Sequence, residues 1–165
     1  MQDKIQLKAR ELGEKLKKLS LTLATAESCT GGGIAYWITS VPGSSLWFDR
    51  GFVTYTNLAK QELIGVNLNT LDKYGAVSQE TAIEMANGAL LNSKADVAIA
   101  TTGIAGPDGG SKDKPVGTVW IAFAQKNKKT CAVKKVFSGN RDNIRMLAID
   151  YALSFTSTSP EGFSS

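Results

Sequence analysis

The amino-acid sequence predicts an α/β protein, built as a three-layer α/β/α sandwich around a mixed, mostly parallel central sheet. Short apolar runs typical of buried strands alternate with segments whose apolar residues recur every three or four positions, which is the period of a helix. Two runs in the second half, over 117–125 and 130–137, follow each other closely enough to form a hairpin. A hairpin adds antiparallel strands, so the sheet is expected to be mixed.

The first half of the chain is predicted to alternate helices and strands. The first helix is amphipathic, with apolar residues at Ile5, Ala9, Leu12, Leu16 and Leu19 and its lysines facing water. The elements that follow are a strand over 21–26, a helix over 34–39, a strand over 47–56, and a short helix that Asn57 caps and that runs to residue 63. Residues 66–74 give no clear period.

The second half continues the alternation. Ser78, with Glu80 in the first turn, opens a helix that stops near Asn92. Residues 96–102 form a near-continuous apolar run, as expected of a central strand, and residues 103–115 hold four glycines and two prolines and must form a loop. After the hairpin, residues 140–155 form a final helix. Helices between strands place the ligand site at the carboxyl ends of the strands.

The composition fits one globular domain, predicted to span residues 1–155, with a disordered tail over 156–165. No stretch approaches the roughly 20 apolar residues that a membrane-spanning helix needs. The first residues also lack the apolar segment of a signal peptide. We therefore expect a cytoplasmic protein without membrane contact.

Charge and residue types limit the cofactors and partners. The net charge of +4 fits an anionic ligand, and the lysines within 126–135 fit a solvated hairpin better than a nucleic-acid site. With two cysteines and no histidine, the sequence offers no recognisable metal site, and we expect no cofactor. Trp37, Trp47 and Phe48 fit a homodimer surface as well as a core.

Residues 25–33 read Thr-Ala-Glu-Ser-Cys-Thr-Gly-Gly-Gly and follow an apolar run. This order places hydroxyl and thiol groups at the start of a helix, where backbone N–H groups favour negative charge. Ser28 is a nucleophile or a helix cap, and Cys29 is a nucleophile or a small core residue. Because the chain has no histidine, a desolvated lysine is the leading candidate for the base. The glycines do not match the phosphate loop of P-loop NTPases.

Three further positions could contribute to a site. Lys60 reads by itself as an exposed helix residue, and serving as a base near pH 7 would require its pKa to fall from about 10.4 by roughly 3. Thr102 precedes a glycine-rich loop that fits a substrate cradle or a plain connection equally well. Arg141 and Arg145 lie one helical turn apart and fit a phosphate clamp or surface ion pairs.

Taken together, six blocks of sequence resemble the CinA C-terminal domain family. They are AESCTGG (26–32), GFVTY (51–55), GAVS (75–78), TGIAGPDGG (102–110), KPVGTV (114–119) and SGNR (138–141). The resemblance extends from about Leu12 to Ala152, almost the whole chain. Characterised members of this family are nicotinamide-nucleotide amidohydrolases.

The resemblance implies hydrolysis of the carboxamide of nicotinamide mononucleotide to nicotinate mononucleotide and ammonia, a step of pyridine-nucleotide salvage. It implies Ser28 as nucleophile and Lys60 as base, with Tyr55 as a third catalytic residue. No metal takes part in this scheme. The residues expected to bind substrate are Glu27, Thr30, Gly31, Gly32, Thr102, Gly103 and Arg141. Glu27 or an aromatic face would attract the pyridinium ring, and the Thr102–Gly103 loop or Arg141 would bind the phosphate. The N–H groups near Thr30 and Gly31 would stabilise the oxyanion.

Two alternatives stay open at this point. The chain could be an inactive nucleotide-binding module of the same fold, since small positioning errors remove activity without changing a motif. It could also be an amidase that uses Cys29 on another small amide. The preference among nicotinamide, its riboside and its mononucleotide is likewise open.

Overall fold

The structure is a computed structural model that describes residues 1–158. It contains six α-helices and five strands in this described part: α1 (Gln2–Leu19), β1 (Leu23–Glu27), α2 (Gly33–Thr39), β2 (Phe48–Val53), α3 (Asn57–Ile64), α4 (Leu68–Tyr74), α5 (Gln79–Leu91), β3 (Val97–Gly103), β4 (Thr118–Gln125), β5 (Cys131–Val136) and α6 (Arg141–Thr158). Over this range, no helix is both long and apolar enough to span a bilayer.

The five strands form one sheet in the order β2-β1-β3-β4-β5. β1 pairs in parallel with β2 and β3, whereas β4 is antiparallel to both β3 and β5. Four strands therefore point one way and β4 the other, which confirms the mixed sheet and the predicted hairpin. In the register, Glu27 lies opposite Val53 on one side and Thr101 on the other. The carboxyl ends of β1, β2 and β3 thus meet at the same edge.

The two faces of the sheet differ in the size of their side chains. On one face, bulky residues pack against α1, α2 and α6 around the fully buried Trp47. On the other face, α5 packs against a layer of alanines: Ala24, Ala26, Ala98, Ala100, Ala122 and Ala124. Helices on both faces confirm the three-layer α/β/α sandwich.

A glycine on α5 lets this helix lie close to the end of α3. A Cβ atom built on Gly88 of α5 would stand only 2.0 Å from the carbonyl oxygen of Ile64, far inside van der Waals contact. Close packing of this kind is what small side chains allow, and it leaves no space for larger ones.

The predicted elements are present, with shifts at their ends. The side-chain cap of α3 is Thr56, whose hydroxyl accepts a hydrogen bond from the N–H of Ala59, so the cap predicted at Asn57 is wrong by one residue. Residues 66–74, which showed no period, contain α4, where Leu71 is the buried residue. α6 continues beyond residue 155 to Thr158, and the remainder of the predicted tail, 159–165, lies outside the described residues.

Candidate active site

A cavity of about 310 Å³ opens at the carboxyl ends of the parallel strands. Six of the ten residues predicted for the site line it: Ser28, Tyr55, Lys60, Thr102, Gly103 and Arg141. They come from the ends of β1 and β3, the segment after β2, α3 and the start of α6. The structure thus brings together side chains that are far apart in the sequence, as the topology of an open α/β sheet allows.

Ser28 and Lys60 are in direct contact inside this cavity. Lys60 Nζ lies 3.1 Å from Ser28 Oγ, and it also donates to the carbonyl oxygens of Thr54 at 2.9 Å and Tyr55 at 3.3 Å. The backbone N–H of Ser28 donates to the carbonyl oxygen of Thr101, which fixes the serine against β3. Nucleophile and base candidates are therefore within hydrogen-bond reach of each other.

Burial changes the acid-base behaviour of Lys60. Only 1% of the residue is exposed, although it lies on a surface helix. Loss of solvent lowers the pKa of its ammonium group from 10.5 to about 8, because the charged form is the one that water stabilises. About a tenth of the lysine is then neutral at pH 7, enough to supply a base.

Cys29 lies next to Ser28 and also lines the cavity. Its burial raises the pKa of the thiol to about 12, so the thiol stays protonated near neutral pH. A protonated thiol is a weak nucleophile. Ser28 Oγ, by contrast, lies 3.1 Å from Lys60 Nζ, and this contact favours the serine over the cysteine.

Glu27 does not line the cavity, contrary to its predicted contact with substrate. Its carboxylate is 1% exposed and accepts four hydrogen bonds: from the hydroxyls of Thr25 and Thr30 and from the N–H groups of Ile34 and Ala35. The negative charge is thereby placed at the start of α2, where the helix dipole stabilises it. This carboxylate anchors the turn that carries Ser28.

Thr30, Gly31 and Gly32 also lie outside the cavity lining. The hydroxyl of Thr30 is shared between Glu27 and Thr101, so it belongs to the network beneath the turn. The N–H of Gly31 donates to the carbonyl oxygen of Ser28, and both glycines adopt positive φ angles of 59° and 90°. They shape the turn, because other residues adopt such angles at a cost.

Tyr55 and Arg141 meet at the mouth of the cavity. One guanidinium nitrogen of Arg141 donates to the Tyr55 hydroxyl at 2.9 Å, and another donates to the carbonyl oxygen of Gly106 at 2.7 Å. Arg145 does not join them, because it donates to the carbonyl oxygens of Cys29 and Thr30. The predicted pairing of the two arginines on one anion is therefore wrong, and Arg141 alone reaches the cavity.

Thr102 and the glycine-rich loop form a further part of the cavity wall. The hydroxyl of Thr102 donates to the carbonyl oxygen of Ala76 at 2.7 Å, which ties the end of β3 to the segment before α5. Further lining residues that sequence reasoning did not single out are Asn57, Ala76, Val77, Ile104, Ala105 and Asp108. All of them carried a signal: Asn57 lies almost one helical turn before Lys60, and the other five lie within the blocks GAVS (75–78) and TGIAGPDGG (102–110).

Comparison with known proteins adds to this geometry. Residues 5–159 match the model of the CinA C-terminal domain. The chain is 52% identical over 145 residues, 88% of each chain, to the nicotinamide-nucleotide amidohydrolase PncC of Escherichia coli (strain K12). It is 46% identical over 151 residues to PncC of Pseudomonas putida, covering 92% of this chain and 94% of that one.

A solved structure has the same fold. The competence/damage inducible protein CihA from Agrobacterium tumefaciens superposes with a TM-score of 0.89 at 46% sequence identity, covering 92% of both chains. At this identity and coverage, the likeness extends over the whole α/β/α sandwich.

Proposed function

The chain belongs to the CinA C-terminal domain family, and from this membership we propose that it hydrolyses the carboxamide of nicotinamide mononucleotide, releasing nicotinate mononucleotide and ammonia. The observation that carries the proposal is the 3.1 Å contact between Lys60 Nζ and Ser28 Oγ inside the cavity. The names of the PncC relatives support the substrate class, a nicotinamide nucleotide.

The surroundings of Lys60 suit the neutral amine as a base. A neutral amine has two N–H bonds and one lone pair. The carbonyl oxygens of Thr54 and Tyr55 can accept the two N–H bonds, which leaves the lone pair for the third neighbour, the hydroxyl of Ser28. In this state the serine donates its hydrogen bond to the lysine, the arrangement that proton transfer needs.

In the first step, Ser28 Oγ attacks the carboxamide carbon while its proton passes to Lys60 Nζ. Backbone N–H groups of the turn after Ser28 stabilise the oxyanion. Of the two donors predicted, Gly31 is already bonded to the serine carbonyl, and Thr30 is fully buried outside the cavity lining. Cys29 is the residue of this turn that follows Ser28 and lines the cavity, so its N–H group is the candidate. The carbon–nitrogen bond then breaks. The Lys60 ammonium returns the proton to the departing nitrogen, giving ammonia and a nicotinoyl ester of Ser28.

In the second step, water hydrolyses the ester. Neutral Lys60 takes one proton from the water as its oxygen attacks the ester carbon, and the ammonium then returns that proton to Ser28 Oγ as the ester bond breaks. The products are the free serine and the carboxylic acid, which loses its remaining proton to solvent to give nicotinate mononucleotide. One water molecule is consumed for each ammonia released, so the two steps balance.

Tyr55 and Arg141 lie where the remainder of the nucleotide would leave the cavity. Tyr55 is more than half exposed, and its hydroxyl is fixed by the guanidinium of Arg141. The N–H groups of Arg141 that are not used by Tyr55 and Gly106 suit the phosphate of a nucleotide. The glycine-rich loop after Thr102, which Arg141 contacts at Gly106, supplies further backbone donors.

The test is to incubate the purified protein with nicotinamide mononucleotide, with and without EDTA, and to measure ammonia and nicotinate mononucleotide together. Equal amounts of both products, unaffected by the chelator, support the proposal. Ser28→Ala is expected to lower turnover by about 10³-fold or more while the protein stays folded, and Cys29→Ala serves as the matched variant that retains activity.

Other outcomes would overturn this function. Binding of the nucleotide without products would indicate the inactive module. Activity that survives Ser28→Ala but disappears in Cys29→Ala or on alkylation would assign the chemistry to the thiol.

A further inference from the structure

Resting on the function proposed above, we infer that the carboxylate of Asp108 recognises the positive charge of the pyridinium ring. Asp108 thereby selects nicotinamides that are substituted at N1 over amides without that charge. This residue lies in the glycine-rich loop and lines the same cavity as Ser28 and Lys60. In this role Asp108 determines specificity, whereas Ser28 and Lys60 carry out the chemical steps.

The carboxylate of Asp108 is available to a ligand. Asp108 is exposed, and in the part of the chain that the structure describes it makes no hydrogen bond or ion pair. Arg141 lines the same cavity, yet its guanidinium is directed to the hydroxyl of Tyr55 and the carbonyl oxygen of Gly106. The carboxylate of Asp108 is therefore not paired with the guanidinium of Arg141, although both line the cavity. It is available to bind a ligand.

The second observation concerns the balance of charge. Among the described lining residues, Lys60 and Arg141 are the basic groups and Asp108 is the acidic one. Arg141 suits a phosphate, but both basic groups, when charged, oppose a pyridinium ring. Glu27 cannot compensate, because its carboxylate is enclosed and bonded to four donors beneath the turn. Asp108 is left as the counter-charge.

The chemistry of the substrate turns this charge into selectivity. Nicotinamide has a neutral pyridine ring, whereas attachment of the ribose at N1 makes the ring a cation. The reacting carboxamide is the same in both. A carboxylate near the ring therefore stabilises the bound nucleotide and adds nothing for a neutral amide.

The experiment measures binding without turnover. Dissociation constants are measured by calorimetry in the Ser28→Ala background, with and without Asp108→Asn. The probes are nicotinamide mononucleotide and benzamide riboside 5′-monophosphate, which has the same carboxamide, ribose and phosphate but an uncharged ring. Asp108→Asn is expected to raise the Kd of the cationic probe about tenfold and to leave that of the neutral probe nearly unchanged.

Two matched variants complete the design. Asp108→Glu keeps the charge and is expected to restore most of the affinity for the cationic probe. Asp113→Asn removes a carboxylate from the same loop but outside the cavity lining, and is expected to change neither constant. Thermal unfolding of each variant shows that the loop substitution leaves the fold intact.

An equal loss for both probes would show that Asp108 binds the ribose hydroxyls and would overturn the inference, as would no loss for either. Because binding is measured without turnover, these outcomes are independent of the proposed activity. Failure of that activity appears separately, as the absence of ammonia in the wild-type assay.

Discussion

The guanidinium of Arg141 donates a hydrogen bond to the hydroxyl of Tyr55, 2.9 Å away and 86 positions earlier in the sequence. This contact connects the start of α6 to the segment that follows β2. It holds two side chains at the mouth of the cavity, one of them aromatic and the other cationic. Substitution of each side chain in turn separates their contributions to substrate binding.

Arg141→Met is expected to lower kcat/KM for nicotinamide mononucleotide by about 10- to 100-fold, mainly through KM, because the phosphate loses its cationic partner. The riboside, which has no phosphate, should lose less. The measurement is the ratio of kcat/KM values for mononucleotide and riboside. Tyr55→Phe is the control, since it should lower kcat/KM for both substrates by the same factor and leave the ratio unchanged. A constant ratio in Arg141→Met would place the phosphate elsewhere.

The activity is expected to rise with pH. Burial lowers the pKa of Lys60 to about 8, and the neutral amine is the active form, so kcat/KM should increase through pH 8 and level off above about pH 9. Steady-state rates between pH 6 and pH 9.5 provide the measurement. Lys60→Arg stays protonated over this range and should be inactive at every pH. A flat wild-type profile would argue against Lys60 as the base.

The same lysine makes stability depend on pH in a defined direction. Its pKa in the folded protein, about 8, is lower than the 10.5 of the ordinary side chain, so between these values the unfolded chain binds more protons. The free energy of unfolding should therefore rise with pH across this window, by about 3 kcal/mol at most. Below pH 8 the cost of burying the charge is constant.

Denaturant unfolding of wild type and Lys60→Met at several pH values between 7.5 and 10.5 tests this dependence. Other groups titrate equally in both proteins, so the difference between the two free energies isolates Lys60. The free energy of unfolding of the wild type minus that of Lys60→Met should increase as pH rises. A constant difference would mean that Lys60 keeps an ordinary pKa in the folded protein.

Glu27→Gln is expected to lower the free energy of unfolding by about 2 to 4 kcal/mol. The four partners of Glu27 all donate hydrogen bonds to its two carboxylate oxygens. A glutamine has one acceptor oxygen, and its NH₂ group, itself a donor, would face O–H or N–H groups that also donate. Activity should fall as well, because the turn carrying Ser28 loses its anchor. Glu14→Gln, which changes an exposed carboxylate on α1, should have little effect on either quantity. Comparable effects in both variants would contradict a special role for Glu27.

The sequence pattern was sufficient to predict the three layers and most helices and strands, but it did not predict the burial of Lys60. α3 buries this lysine to 1% exposure while Leu58 and Leu63 are 60% and 47% exposed, the reverse of what burial of apolar surface favours. No rule based on periodicity finds a lysine in such a place. Its proposed role as a base came from the family resemblance, and local disagreement between pattern and burial is expected at functional sites.

Glu27 was expected to contact substrate, although the alternation of side chains along β1 carried a signal for its placement beneath the turn. Side chains alternate along a strand, and Thr25 and Glu27 share one face of β1 while Ala24 and Ala26 share the other. The period of two therefore directs Glu27 towards α2, beneath the turn. What the sequence could not provide is the number of donors that converge there, because Thr25, Ile34 and Ala35 meet only in the folded chain.

The alanine layer under α5 has a mechanical consequence for catalysis. Where methyl groups make up most of the contact between a helix and a sheet, the two cannot approach much further, and few side chains there have rotamers to exchange. The bulky side chains on the opposite face differ in this respect. The wall formed by Ala76 precedes α5 directly and is fastened to β3 through Thr102. This part of the cavity wall is thus built on the closely packed side of the sheet, and its position follows from the packing of α5 on β3.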